Sequence, residues 1–129
     1  MRVAIPISND RVSPVFDAAS RMVLVDVKNG IEQGRREEAL PESFLERRAR
    51  RLAELGVTVL ICGAVSRPLA ALLEGSGITV FPWTAGWVND VLEAYLKGRL
   101  PGKRWRMPGC GGRWQRHRGD RIRCNRGSR

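Results

Sequence analysis

Soft metal ligands are scarce in this chain. Three cysteines and one histidine stand among 129 residues, too few for a disulfide framework or for a zinc finger with its paired ligands. Apolar runs are short. Val3–Ile7, Met22–Val27, Val57–Cys62 and Ile78–Phe81 all have strand length, well under the ~20 residues a membrane-spanning helix needs. Met1-Arg2 leads straight into the first run, with no apolar stretch and small-residue cleavage site of a secretory signal. This usage predicts a reducing cytoplasm, where thiols stay available as ligands, and no membrane partner.

Acid is missing from the last quarter. Lys97–Arg129 holds twelve Lys or Arg against one acid, Asp120, a net of +11 that leaves −1 for Met1–Leu96. The same segment carries His117, Cys110, Cys124, Trp105 and Trp114. A near-neutral body succeeded by cations and soft ligands points to an anionic partner, either a metal centre or nucleic acid.

Within the body, Arg2–Ile7 reads as a first strand and Ser8–Pro14 as a polar loop. Arg21–Val27 and Ile31–Glu38 flank Asn29-Gly30, a pair that favours a tight turn because both residues accept positive φ. The weak apolar content of the third strand predicts a sheet edge. Ser43-Phe-Leu-Glu46 is a capping-box sequence opening a helix that buries Leu45, Ala49 and Leu52 and ends at Gly56. Val57–Cys62, a continuous apolar run, predicts a strand buried on both faces. A second helix is capped near Ser66, with Pro68 in its first turn and Leu69, Leu72 and Leu73 inward. Ile78–Phe81 comes next as a strand, then a helix over Val88–Lys97 burying Val88, Leu92, Tyr95 and Leu96. Helical crossovers require parallel strands, whereas the short early turns allow an antiparallel meander. The expected fold is α/β with a mixed five-stranded sheet. Its central parallel strands would be Val3–Ile7, Val57–Cys62 and Ile78–Phe81. Residues 1–98 form the domain and 99–129 a basic, largely mobile tail, since only Trp105, Met107, Trp114 and Ile122 anchor it.

Val12-Ser-Pro-Val-Phe-Asp17, Leu24-Val-Asp-Val27 before the Asn-Gly turn, Leu60-Ile-Cys-Gly-Ala64 with Ser66, and Met107-Pro-Gly-Cys110 together resemble the dinitrogenase iron–molybdenum cofactor biosynthesis family, of the NifX and NifB-C-terminal type. The likeness runs in order from Met1 to Cys110, and its ending resembles small stand-alone members. It implies a ribonuclease-H-like three-layer fold and proteins that bind, carry or insert metal–sulfur clusters rather than catalyse turnover. The chain reads Val15-Phe16-Asp17 where many members read His-Phe-Gly. A histidine able to ligate a cluster is therefore absent at that position.

In open α/β sheets a site forms beyond the carboxyl ends of the parallel strands. That edge should gather Ser8, Asn9 and Asp10, then Gly63, Ala64 and Ser66, then Trp83–Gly86. A helix start at Ser66 adds free N–H groups suited to an anionic cluster, though Ser66 also reads as an ordinary cap. Cys62 is a candidate metal ligand, but it ends an apolar strand, where free Cys usually packs. Cys110 lies between glycines and near Arg104, Arg106 and Arg113, which favour the thiolate. His117 and Cys124 extend it to Cys-x6-His-x6-Cys, a partial ligand set rather than a closed zinc site.

Asp10, Asp17, Asp26 and Asp90 are too scattered for a two-metal nuclease, and the lone His excludes a Ser-His-Asp set within the body. The residues therefore predict a non-enzymatic protein. It would handle an iron–sulfur or molybdenum-containing metal–sulfur cluster and meet cluster-assembly or recipient proteins. The alternative is a nucleic-acid binder whose Trp114, Arg116, His117, Arg118, Arg121 and Arg123 interleave stacking and cationic groups.

Overall fold

The computed structural model describes residues 1–41 and 44–100. Strand β1 (Arg2–Ser8) turns through Asn9-Asp10 into β2 (Arg11–Val12), and a 3-10 turn (Phe16–Ala18) leads into β3 (Arg21–Lys28). Then come β4 (Ile31–Ala39), α1 (Leu45–Glu54), β5 (Val59–Ile61), α2 (Arg67–Gly75), β6 (Thr79–Phe81) and α3 (Val88–Leu96). The sheet order is β4-β3-β1-β5-β6, with β2 beside the end of β1. β1 pairs antiparallel with β3, as does β3 with β4. β1, β5 and β6 are mutually parallel, joined by helical crossovers.

Two expectations change. The sheet has six strands, because Ile7 and Ser8 pair with Val12 and Arg11. This two-residue strand has no sequence period of its own. Residues Thr79–Phe81 lie at an edge rather than centrally, since β6 pairs only with β5. The Val57–Cys62 run does hold the interior position expected of it, between β1 and β6. Asn29 and Gly30 take φ of 55° and 74°, the left-handed pair a tight hairpin needs. β4 forms the opposite edge and is protected by charge, with Arg21 on Glu37 and Arg35 on Glu32.

Alternation along each strand sends side chains to two cores. Ala4, Met22, Leu24, Leu60 and Cys62 face α1 and α2, where Ala49, Leu52, Leu69, Ala70 and Leu73 close over them. Val3, Ile5, Val23, Val25 and Ile61 face α3, which contributes Val88, Val91 and Leu92. Fully burying each Leu or Ile contributes about 1.5–3 kcal/mol.

α1 begins at Leu45 with Phe44 in the N-cap position, and no side-chain cap is made there. Ser43, the expected cap, lies outside the described residues. Arg48 joins Ala49 and Leu52 on the buried face, its Nη1 donating to the carbonyls of Phe16 and Ala19. Leu72 is 37 % exposed rather than inward, with Ala70 buried in its place. Tyr95 is only half-buried and meets Phe81 edge-on at 5.6 Å. Among the described residues no helix is long and apolar enough to cross a membrane.

Candidate functional site

The three parallel strands deliver their outgoing loops to one rim, and backbone hydrogen bonds lace the loops together. From the β1 side, Phe16 N–H donates to Ala64 O at 2.8 Å, and Ala64 N–H returns a bond to Pro14 O at 2.7 Å. From the β6 side, Trp83 N–H donates to Gly63 O and Thr84 N–H to Cys62 O, each at 2.9 Å. The triangle closes with Val12 N–H to Gly86 O and Val88 N–H to Asp10 O, also 2.9 Å. Gly63 is required at its centre. A Cβ there would sit 2.5 Å from the carbonyl oxygens of Ser13 and Pro14, closer than any side chain tolerates.

The six residues expected to form one cluster edge divide into two groups. Ser8, Asn9 and Asp10 form the β1–β2 hairpin, with Asn9 and Asp10 at φ of 52° and 66°, and this turn backs onto Trp87 and Val88. Gly63, Ala64 and Ser66 instead meet Ser13–Asp17 directly. The end of the Ser8–Pro14 loop is tied to the segment before α2 through the Pro14 carbonyl, which accepts from Ala64 N–H. Ser66 N–H donates to Asp17 Oδ1 at 2.9 Å, and Ser66 Oγ accepts from Leu69 N–H at 3.4 Å. A carboxylate of the protein already occupies this helix end, where the backbone partial charge favours an anion.

Cys62 is fully buried in the α1/α2 core. Burial, reinforced by the negative charge of Asp17, pushes its thiol far above the usual range. In this conformation it packs in the core, the role a free cysteine at the end of an apolar strand usually takes. Cys110, His117 and Cys124 lie outside the described residues. Among the described residues no three His, Cys, Asp or Glu side chains gather to hold a metal.

Two apolar side chains are exposed at the rim among the polar ones. Val15 is 42 % exposed and bridges to Ala64. Trp87 is 50 % exposed, with the Arg11 guanidinium 4.3 Å over its ring. Trp83 holds a left-handed φ of 61°, and its buried indole N–H has no hydrogen-bond partner among the described residues. Such a combination of strain and an unmet donor is uncommon and belongs to sites more often than to plain loops. Nothing in Pro82-Trp-Thr84 signals it. Asp17 as the partner of Ser66 was equally hidden, because the contact spans 49 residues of sequence.

Comparison with known proteins agrees with this architecture. An uncharacterised protein of Methanocaldococcus jannaschii is 23 % identical over 112 residues, covering 78 % of this chain and 89 % of its own. The NMR structure of a candidate NifB protein from Thermotoga is 28 % identical with a TM-score of 0.59, covering 76 % of this chain and 89 % of that one. The apo form of the orange protein from Desulfovibrio gigas superposes with a TM-score of 0.62 at 24 % identity, covering 81 % and 94 %. Residues 1–98 match the dinitrogenase iron-molybdenum cofactor family along the whole domain, and the chain belongs to that family.

Proposed function

We propose that the protein binds, carries or helps assemble a metal–sulfur cluster of the iron–molybdenum-cofactor type, without catalysing turnover. Membership of residues 1–98 in a cofactor family carries this reading. The division of chemistry along the chain supports it. The body's one cysteine is sealed and neutral, whereas Cys110, His117 and Cys124 stand among arginines further along. In this reading Cys110 supplies the leading thiolate, since thiolate is the preferred ligand of iron–sulfur and copper–sulfur centres. His117 and Cys124 complete the set, and neighbouring arginines offset the cluster's negative charge. The rim built from Val15, Ala64, Ser66 and Trp83 is where cargo or an acidic recipient protein would rest. The ribonuclease-H-like label and a cytoplasmic setting belong to the same reading, the first through the family resemblance and the second through the reducing conditions free thiolates need.

The test is the metal and acid-labile sulfide content of protein purified without oxygen. Co-purifying metal with sulfide is the expected result. Protein free of both, yet binding single-stranded RNA or DNA with steep salt dependence, would transfer the function to the arginine-rich segment as a phosphate-binding module.

A further inference from the structure

The two sides of α1 carry arginine for different ends. Its inward side buries Ala49 and Leu52 and turns the Arg48 guanidinium onto the Phe16 and Ala19 carbonyls. On its outward side Phe44, Arg47 and Arg50 are all exposed. They follow one another at i, i+3 and i+6, the spacing of neighbours along a helix surface. At 1.5 Å per residue the stripe is about 9 Å long. Phe44 is 62 % exposed, with the Arg47 guanidinium 5.2 Å from its ring centroid.

These two arginines differ from those of the neighbouring sheet edge. On β4, Glu32 and Asn89 take up Arg35, and Glu38 accepts from Arg36 at 2.9 Å. Arg47 and Arg50 have no ionic partner among the described residues. Yet Arg50 stands four residues from both Glu46 and Glu54, the spacing of a helical ion pair. The stripe therefore offers two open guanidiniums beside an open aromatic ring. Arginine and aromatic side chains together are the composition of interface anchors rather than of ordinary surface.

Charge and shape narrow the partner. Guanidiniums one helical turn apart match carboxylates one turn apart on a facing helix, and each can hold its carboxylate through two hydrogen bonds. A nucleic-acid backbone fits less well. Its negative charge is continuous, and Glu46 and Glu54 beside the stripe would repel it. We propose that Phe44, Arg47 and Arg50 form a docking stripe for an acidic helical segment of a partner protein. Its carboxylates would lie on the two arginines and an apolar side chain against Phe44. This surface does not depend on the cluster reading above.

The test is amide shift mapping on full-length, isotopically enriched protein titrated with a Glu-rich helical peptide carrying one Leu. Shifts across residues 44–54 are the expected result, weakening as salt screens the charges. Signals from residues 99–129 report the arginine-rich segment separately. Arg47→Glu/Arg50→Glu should abolish the shifts in 44–54 and leave the thermal midpoint unchanged, because both side chains stand in water. Phe44→Ala should weaken the response to this peptide but not to its all-Glu counterpart. Shifts confined to residues 99–129, or shifts in 44–54 that survive the double substitution, would overturn the proposal. So would equal shifts in 44–54 from single-stranded DNA of the same charge, which would make the stripe a phosphate site.

Discussion

The face of the sheet under α1 and α2 is closed, and the face under α3 is half open. On the first, two helices bring Leu52, Leu69, Ala70 and Leu73 onto Met22, Leu24 and Leu60, and the single described cysteine disappears among them. On the second, one helix covers the parallel strands and leaves Ile7, Val23 and Trp87 around a groove whose two carboxylates, Asp10 and Asp90, no described residue pairs. The difference separates stability from chemistry. Side chains on the closed face hold the sheet together, while the open face leaves side chains such as Trp87 exposed.

The largest expected contrast sets one leucine against one tryptophan. Leu69→Ala empties a fully buried site and should destabilise the fold by about 2–5 kcal/mol, read from the midpoint of urea denaturation. Trp87→Ala removes a larger ring that is half exposed and should shift the same midpoint far less. Equal losses would mean that the open face is as tightly closed as the other.

Gly63→Ala probes the junction of the two regions, because the rim is braced on this residue. Its new methyl would press on the Ser13 and Pro14 carbonyls, backbone atoms that cannot turn aside. A loss of about 1–3 kcal/mol is expected, as for other overpacked sites, with amide shifts concentrated in residues 13–16 and 63–66. A silent substitution would show that the loop lifts away freely.

The smallest effect concerns Arg2 and Asp26, at the foot of the sheet. The hydrogen bond from Arg2 Nε, 2.7 Å to Asp26 Oδ1, holds this carboxyl below the usual aspartate range, with burial opposing it weakly. A depressed folded value stabilises the fold above the unfolded pKa near ~3.9. That contribution is lost as pH falls through the lower folded value. Solvent screens so exposed a pair, so Asp26→Asn should cost only a little stability at neutral pH, and the difference from the parent should vanish as pH falls below about 4. A difference that persists unchanged at lower pH would contradict this assignment.

Much of this architecture was legible because local chemistry and fold agree. Asn29-Gly30 demanded a hairpin, the apolar Val57–Cys62 run an interior strand, and the charged Ile31–Glu38 stretch an edge. The features that escaped depend on contacts distant in sequence. Arg11–Val12 becomes a strand only because Ile7, Ser8 and the Gly86 carbonyl are there to pair with it. Arg48 occupies a core-facing position three residues after Leu45, and the Phe16 and Ala19 carbonyls, distant in sequence, accept from it there. The gathering of three loops at one rim was implicit in the parallel topology, but its closure was not. Ser66 looked like an open anion-binding helix start, and only the fold brings Asp17 to it.

The two cysteines test the central claim most directly. Cys62 lies in the closed core and Cys110 in the basic segment, and metal binding is assigned to the second alone. After anaerobic reconstitution with iron, molybdate and sulfide, Cys110→Ser should hold clearly less metal per folded molecule than the parent, with an unchanged thermal midpoint. Cys62→Ser should lower the midpoint and leave metal per folded molecule as it was. Full metal content in Cys110→Ser, with loss in Cys62→Ser, would contradict the assignment.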